Sequence, residues 1–496
     1  MREPMQRLGR IALVSWGIAS ALLLLALVAV LLRHGMPGFY VFQTEGHGSS
    51  LRINFAAFAI SWCAIGAAAA LSQAPARARR HALFWVVLAL VSFRWLNDVR
   101  EPHRVRIGDF GAYFEAAKAM HAGAPIAQLP DRLYLYPPLL ATAMSPLVPL
   151  GEELVREGFE LVNWGVVVAL ACLLYAALPR YGATRGEAAL AVGLLFFVNV
   201  PVLRSLAYHQ VNPAVETLVV ASLLAWPRFR AASALALALA VHVKVYPVLL
   251  VLPFLAVRDG RWIGWFVLWN LAIVAGTSAL TGFHRYPAFL EQVWHLEETA
   301  LRNASIDAFL HNTLRVAGAE PGALARGAGL VLRAASGAAF LLAIARLAGR
   351  ARLGAGRGRG DAEAVRAERL VAHGFALLPL VMLIVSPSIW EHHPMLLSLT
   401  MPVLAGVLAR PREAWLFLPA YAFLFWMPVV DIYPVSGLRL LAFFLLLALL
   451  FELARRPDDP PPAWRARLAR RLEIAAPGHE HPTHAGGGGA GRADLR

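Results

Sequence analysis

The sequence has 496 residues, 58% of them hydrophobic, and 46 Lys and Arg against 31 Asp and Glu give a net charge of +15. A soluble core does not take up that much apolar surface, and several runs approach the roughly 20 residues that cross a ~30 Å hydrocarbon layer. A nucleic-acid-binding chain is excluded as well: nearly all the positive charge is arginine in short loops beside apolar runs, the positive-inside pattern.

Membrane-spanning helices are predicted near 11–32, 53–72, 82–97, 160–178, 187–204, 212–226, 262–281, 322–347, 370–386, 394–409, 414–430 and 437–455. The first is too long for a signal-peptide core and no A-x-A cleavage pattern follows it, so it reads as a retained span. The run "AASALALALAVHVKVYPVLLVLPFLAV" is flanked by two basic loops, "PRFR" and "VRDGRW". With both flanks on one side, it must enter and return as two short helices, about 231–243 and 245–257, meeting near Lys244 and Pro247. The fold class is therefore an all-α polytopic membrane protein, a bundle of about 12–14 transmembrane or half-spanning helices. Its division is an extra N-terminal hairpin (1–81), a membrane core (82–455) and a soluble basic tail (456–496).

The loops set an orientation. "REPMQRLGR", "PARARRH", "PRYGATR", "PRFR", "RLAGRARLGAGRGRG" and "RPRE" fall on one side, read as the cytoplasm, as do both termini. The opposite side receives 33–52, 98–159, 205–211, 282–321, 387–393 and 431–436, rich in acids, histidines and aromatics. "VREPHRVR" (99–106) is a basic exception there. In the tail, "WRARLARRLEIA" carries an apolar stripe among arginines and suits an anionic inner leaflet. Abundant Ala, Arg and Gly with only two lysines, Lys118 and Lys244, points to a GC-rich bacterial genome and hence to a bacterial cytoplasmic membrane. Cys63 and Cys172 both lie in apolar runs and read as small core residues, not a disulfide framework.

On the outer side, Asp109 opens "DFGAYFEAAKAM". It reads either as a helix N-cap or as a general base, and Tyr113 four residues on shares its face. "YLYPPLLATAMSPLVPL", with Tyr136, reads as an interfacial anchor or as a wall along a lipid chain. Lys244 in "VHVKVYPV" carries a cost of roughly 2.5–3.5 kcal/mol inside a membrane, so it either snorkels or meets an anionic partner such as a phosphate. "SPSIWEHHPMLL" offers Trp390, Glu391, His392 and His393 before Pro394 restarts a helix. It has no HExxH spacing, and no metal is expected there. The bland alternative is a polar turn in which His393 caps the following helix. "YHQVNP", with His209 and Gln210, and "LRNASIDAFLHNTLR", with Asn303, each read alone as loops. A transporter would call for carboxylates within spans and repeat-related halves, whereas the acids lie mostly in loops.

Taken in order, "GDFGAYFEAAKAM", "YLYPPLLATAMSPL", "HQVN", "VKVYPVLLVLPFLAVRDGRW", "RNAS" and "SPSIWEHH" resemble glycosyltransferase family 87, over roughly 82–455. The resemblance implies a GT-C fold and an inverting transferase. It would move a sugar, mannose first and arabinofuranose as the alternative, from a polyprenyl-phosphate donor to a lipid or glycan acceptor at the outer face. By position it implies Asp109 as the base and His392 and His393 as the family's histidine pair. Lys244, with Arg104 and Arg106 of "VREPHRVR", would bind the donor phosphate. Tyr113, Tyr136, His209, Gln210, Asn303 and Trp390 would line the substrate, and no cofactor is implied. The chain departs from the family at His209-Gln210, usually Gly-Gln, and at Asn303-Ala304-Ser305, often Asn-Gln-Ser.

Overall fold

The computed structural model describes residues 109–124, 134–197, 199–294, 300–301, 303–353, 361–427 and 434–456. The N-terminal hairpin expected over 1–81, the span at 82–97, Arg104 and Arg106, and the tail beyond Arg456 lie outside them. The described residues are helical, with no strand among them.

The chain is first described at α1 (Asp109–His121). Pro137 and Pro138 then start α2 (Pro138–Met144), proline being pre-set for a helix's first turn. Pro146 and Pro149 hold 145–150 as a 3-10 segment, and Gly151 at φ +85° turns the chain into α3 (Glu152–Ala177). The single span expected at 187–204 is two helices, α4 (Arg185–Phe197) and α5 (Val200–Ala207). The Asn199 side chain accepts the Val202 N–H at 2.9 Å and Pro201 sits in the first turn, so a new helix begins inside an apolar run.

Next come α6 (Asn212–Ala225) and α7 (Arg230–Val243), a 3-10 segment Tyr246–Val251, and α8 (Leu252–Ala256). They are followed by α9 (Gly260–Thr281) and α10 (Arg285–Trp294). "IDAFLHNTLRV", expected as a loop, is α11 (Ile306–Val316), because the Ser305 hydroxyl caps the Ala308 N–H. Then follow α12 (Ala323–Leu353), α13 (Asp361–Ile384), α14 (Thr400–Val407), α15 (Pro411–Tyr421) and α16 (Leu438–Arg455). The spans expected at 394–409 and 414–430 are also shorter than drawn. A 3-10 turn (His393–Leu397) precedes the eight residues of α14, and α15 ends in a π-helical turn, Ala422–Trp426. Among the described residues, five helices are long and apolar enough to cross a membrane: Glu152–Tyr181, Gly260–Thr281, Ala325–Ala348, Val365–Ile384 and Val435–Arg455. The chain is an all-α polytopic membrane protein.

The fold-back at Lys244 is closed at its base. Asp259, just beyond α8, takes hydrogen bonds from Arg230 Nε at 2.9 Å, at the start of α7, and from Trp226 Nε1 at 3.0 Å, at the end of α6. α7 therefore leaves the base and α8 returns to it, with Lys244 at the tip. Where α6 and α9 pack against the hairpin the polar groups satisfy one another, as an apolar surround requires. Ser222 and Ser233 each donate to the other's carbonyl at 2.8 Å, and Trp262 Nε1 donates to Ser233 Oγ at 2.9 Å. Phe254 stacks on Trp262 with ring centroids 3.5 Å apart. Gly374 of α13 lets Pro253 approach so closely that a Cβ would lie 2.2 Å from Pro253 Cγ.

The described loops sort into two ends. At one end Arg180 donates to the carbonyls of Leu223 and Leu224, Arg230 meets Asp259, and Arg456 meets Glu413. At the other, the Asp109 N–H donates to the Tyr208 carbonyl at 2.9 Å, Arg285 to that of Ala124 at 2.6 Å, and the Ala304 N–H to that of Ile389 at 2.7 Å. The arginine-rich turns and the aromatic, histidine-bearing turns thus occupy opposite ends of the helices.

Candidate active site

Asp109 is the first residue of α1, where the helix dipole favours a carboxylate. Its side chain bonds outside the helix. Oδ2 accepts the Tyr136 hydroxyl at 2.8 Å and also the Gln210 side-chain amide. No described residue donates to Oδ1, and the residue is half-buried. Tyr136 is delivered by a bend that Tyr134 makes rigid: its hydroxyl donates to the Pro137 carbonyl at 3.0 Å and accepts the Ala141 N–H at 3.1 Å. Tyr113 meets the Tyr136 ring edge-on at 4.9 Å. Burial, reinforced by the Asp109 charge, pushes the Tyr136 phenol well above its usual value, so it remains a donor.

Lys244 is the C-cap of α7, in extended conformation, between two helical segments and outside the five membrane-length helices. Nζ donates to Asn212 Oδ1 at 2.7 Å and lies 5.3 Å from the Tyr136 ring centroid, within cation–π range. Burial lowers its pKa to about 8, and the nearby Asp109 charge works against that fall. His393 feels Lys244 in turn. Burial and then the Lys244 charge hold its imidazole well below its usual value, hence neutral. Its Nδ1 accepts the Trp390 N–H at 3.1 Å, which leaves the proton on Nε2. His392 packs edge-on to His393 at 4.6 Å and lies 6.1 Å from Tyr208. His393 is therefore held by the turn; the N-cap of the following 3-10 segment is His392, which makes no side-chain capping bond.

Asn303 lies behind this histidine turn, 4% exposed. Its Oδ1 accepts the N–H groups of Ser305 and Ile389, each at 2.9 Å, and Nδ2 donates to Ser388 Oγ at 3.3 Å. It pins the turn that carries Trp390, His392 and His393.

His209 has φ +54°, the left-handed region. Its N–H bonds to the Leu206 carbonyl at 3.1 Å and the Gln210 N–H to that of Ser205 at 2.7 Å, a Schellman turn ending α5 with His209 in the place glycine usually takes. That conformation costs an L-residue about 1–2 kcal/mol and a glycine little, a physical reason for Gly-Gln in the family resemblance. Here His209 Nε2 is held by Glu160 Oε1 at 2.5 Å, and Phe110 packs against its ring at 6.2 Å.

The structure thus brings Asp109, Tyr136 and Gln210 into hydrogen-bond contact. Tyr113, Lys244 and His393 adjoin them, His209 faces Glu160, and Asn303 stands behind the histidine turn. Sequence reasoning passed over Asn212, which holds Lys244, and Asn163, whose Nδ2 donates to the Gln210 carbonyl at 3.0 Å. It also passed over Glu160 and Arg204, whose guanidinium lies 3.8 Å from the buried Glu391 carboxylate. The available signal was a polar side chain inside an apolar stretch, as in "ELVNWGVVV".

A carboxylate with one oxygen free of bonds from the described residues, and an ammonium near enough to feel its charge, is equipped to take a proton from a hydroxyl while positive charge stabilises a departing anion. A search of curated proteins returns no match to the chain. The model of Glycosyltransferase family 87 matches residues 134–387. That stretch contains Tyr136, His209, Gln210, Lys244 and Asn303; Asp109, Trp390, His392 and His393 lie beyond its ends. The match takes in just over half of the 496 residues, and the chain belongs to glycosyltransferase family 87.

Proposed function

We propose that the chain transfers a sugar, mannose, from a polyprenyl-phosphate donor to a lipid or glycan acceptor at the outer face of a bacterial cytoplasmic membrane, with inversion. The observation that carries this reading is the set of contacts on Asp109. Oδ2 is fixed by Tyr136 and Gln210, Oδ1 takes no bond from a described residue, and the Lys244 ammonium is close enough to feel the charge.

Asp109 Oδ1 takes the proton of the acceptor hydroxyl as its oxygen bonds to the anomeric carbon. The bond from that carbon to the phosphate oxygen breaks, and the electron pair leaves on the phosphate. Phosphate is a good leaving group and needs positive charge more than a proton; Lys244 supplies it. General-base help of this kind is worth about 10²–10⁴-fold. Attack opposite the phosphate turns a β-linked donor into an α product. The neutral His393, with a proton on Nε2, donates to a sugar or phosphate oxygen, and His392 lies beside it. Arg104 and Arg106 add positive charge to the donor phosphate in this reading, and Trp390 lines the sugar.

In a strain lacking the chain, mass spectrometry of envelope glycolipids will show one mannosylated species lost and its precursor, one sugar shorter, accumulating. An unchanged glycolipid profile contradicts the proposal.

A further inference from the structure

α3 holds the Gln210 turn at two points one helical turn apart. Asn163 Nδ2 bonds to the Gln210 carbonyl at 3.0 Å, and Glu160 Oε1 to the His209 ring at 2.5 Å. His209 stands at φ +54° between α5 and Gln210, a conformation its own backbone resists. Glu160 and His209 are both largely buried, so water competes little for the bond. Arg156, one turn earlier on α3, lies 3.8 Å from the same Glu160 oxygen. Gln210 in turn contacts both Asp109 and the Tyr136 hydroxyl.

We propose that Glu160 is a positioning residue for the transfer: by anchoring His209 in its left-handed turn it sets the Gln210 amide against Asp109. This rests on Asp109 being the base. Glu160 touches Gln210 only through the turn and meets no reacting atom. A strained turn relaxes when its anchor is removed, and Gln210 then leaves Oδ2. A glycine at position 209 has no strain to relieve, so it does not depend on the anchor.

The dependence between the two positions is the test. The full chain is expressed in membranes of the strain lacking it, and the restored glycolipid is measured per folded molecule by mass spectrometry. Folded protein is counted by size-exclusion chromatography. Glu160→Ala is expected to lower transfer about tenfold in the His209 chain. In a His209→Gly chain it should lower transfer less than twofold from that parent's own rate. Glu160→Gln, which still bonds the imidazole, should keep most of the activity. A packing role for Glu160 predicts the same loss in both parents. Equal losses, or an unaffected Glu160→Ala, overturn the inference. If Glu160→Ala yields no folded protein, the comparison is made with Glu160→Gln and with Glu160→Ala in the glycine parent; loss of folding in both backgrounds overturns it too. Asp109→Asn is measured alongside. If it retains transfer, the base assignment fails and the inference with it; if it does not, equal losses sink the inference alone.

Discussion

Tyr136 donates its hydroxyl hydrogen to Asp109 Oδ2 at 2.8 Å, linking residues 27 apart across the break between α1 and α2. The same ring carries Lys244 on its face and Tyr113 at its edge. One side chain therefore ties the proposed base to the proposed phosphate cation. Tyr136→Phe keeps the ring contacts and removes only the hydroxyl, with its bonds to Asp109 and Gln210. A bond to a charged acceptor contributes about 1.5–3 kcal/mol, so transfer should fall tenfold or more, with the folded amount unchanged. Initial rates check this; a rate equal to wild type would mean that the hydroxyl plays no part in orienting Asp109.

Lys244 gives a pH dependence. Burial lowers its pKa to about 8, so it is charged below that value and neutral above it. The donor phosphodiester keeps its negative charge throughout this range. Affinity for the polyprenyl-phosphate sugar donor should thus be greatest below pH 8 and fall by up to about tenfold per pH unit above it. Lys244→Met should be weak and flat across the same range. A wild-type affinity constant between pH 7 and 9.5 removes Lys244 from phosphate binding.

Asn303 pins the histidine turn with two hydrogen bonds, to Ile389 and Ser388, and holds the Ser305 N–H with a third. Asn303→Ala leaves two buried N–H groups without their acceptor, at a cost of roughly 1–3 kcal/mol each. Thermal unfolding should shift down, and transfer per folded molecule should also fall as Trp390, His392 and His393 loosen. A lowered midpoint with full specific activity would confine Asn303 to a folding role.

Asp259, at the far end of the hairpin, is the contrasting case. Burial alone would raise its carboxyl, but the bonds from Trp226, Arg230 and the Trp262 N–H prevail and hold it below the usual range. Its folded value is the lower one, so its stabilisation is present above pH ~4 and is lost as pH falls further. Half-exposed Arg230 adds little of this because solvent screens it. Asp259→Ala, losing the α9 N-cap as well, should destabilise by about 2 kcal/mol. Transfer per folded molecule should stay at the wild-type level, and a large drop would show that the hairpin base is coupled to the site.

Much of the membrane architecture is legible in the sequence, because apolar length and arginine placement are local signals. The fold-back at Lys244 follows from two basic flanks, and the Arg230–Asp259 bridge closes it. The breaks at Asn199 and before Thr400 were hidden because the surrounding residues are uniformly apolar. There a capping side chain and a 3-10 turn, not hydropathy, decide where a helix starts. In the site, Asp109, Lys244 and the histidines were singled out by resemblance and by the cost of charge in a membrane. The residues that orient them, Asn163, Glu160 and Asn212, lie on helices whose approach is a tertiary matter. His209 stood out only as a departure from a usual glycine, and its positive φ with Glu160 as anchor gives the physical reason.

The most direct test of the base assignment is a single-turnover measurement on Asp109→Asn in membranes preloaded with polyprenyl-phosphate sugar. Asparagine preserves size and the position at the start of α1 but cannot take a proton. Donor binding should be unchanged and transfer slowed by about 10²–10⁴-fold. Transfer at a rate near that of the wild type would contradict the assignment.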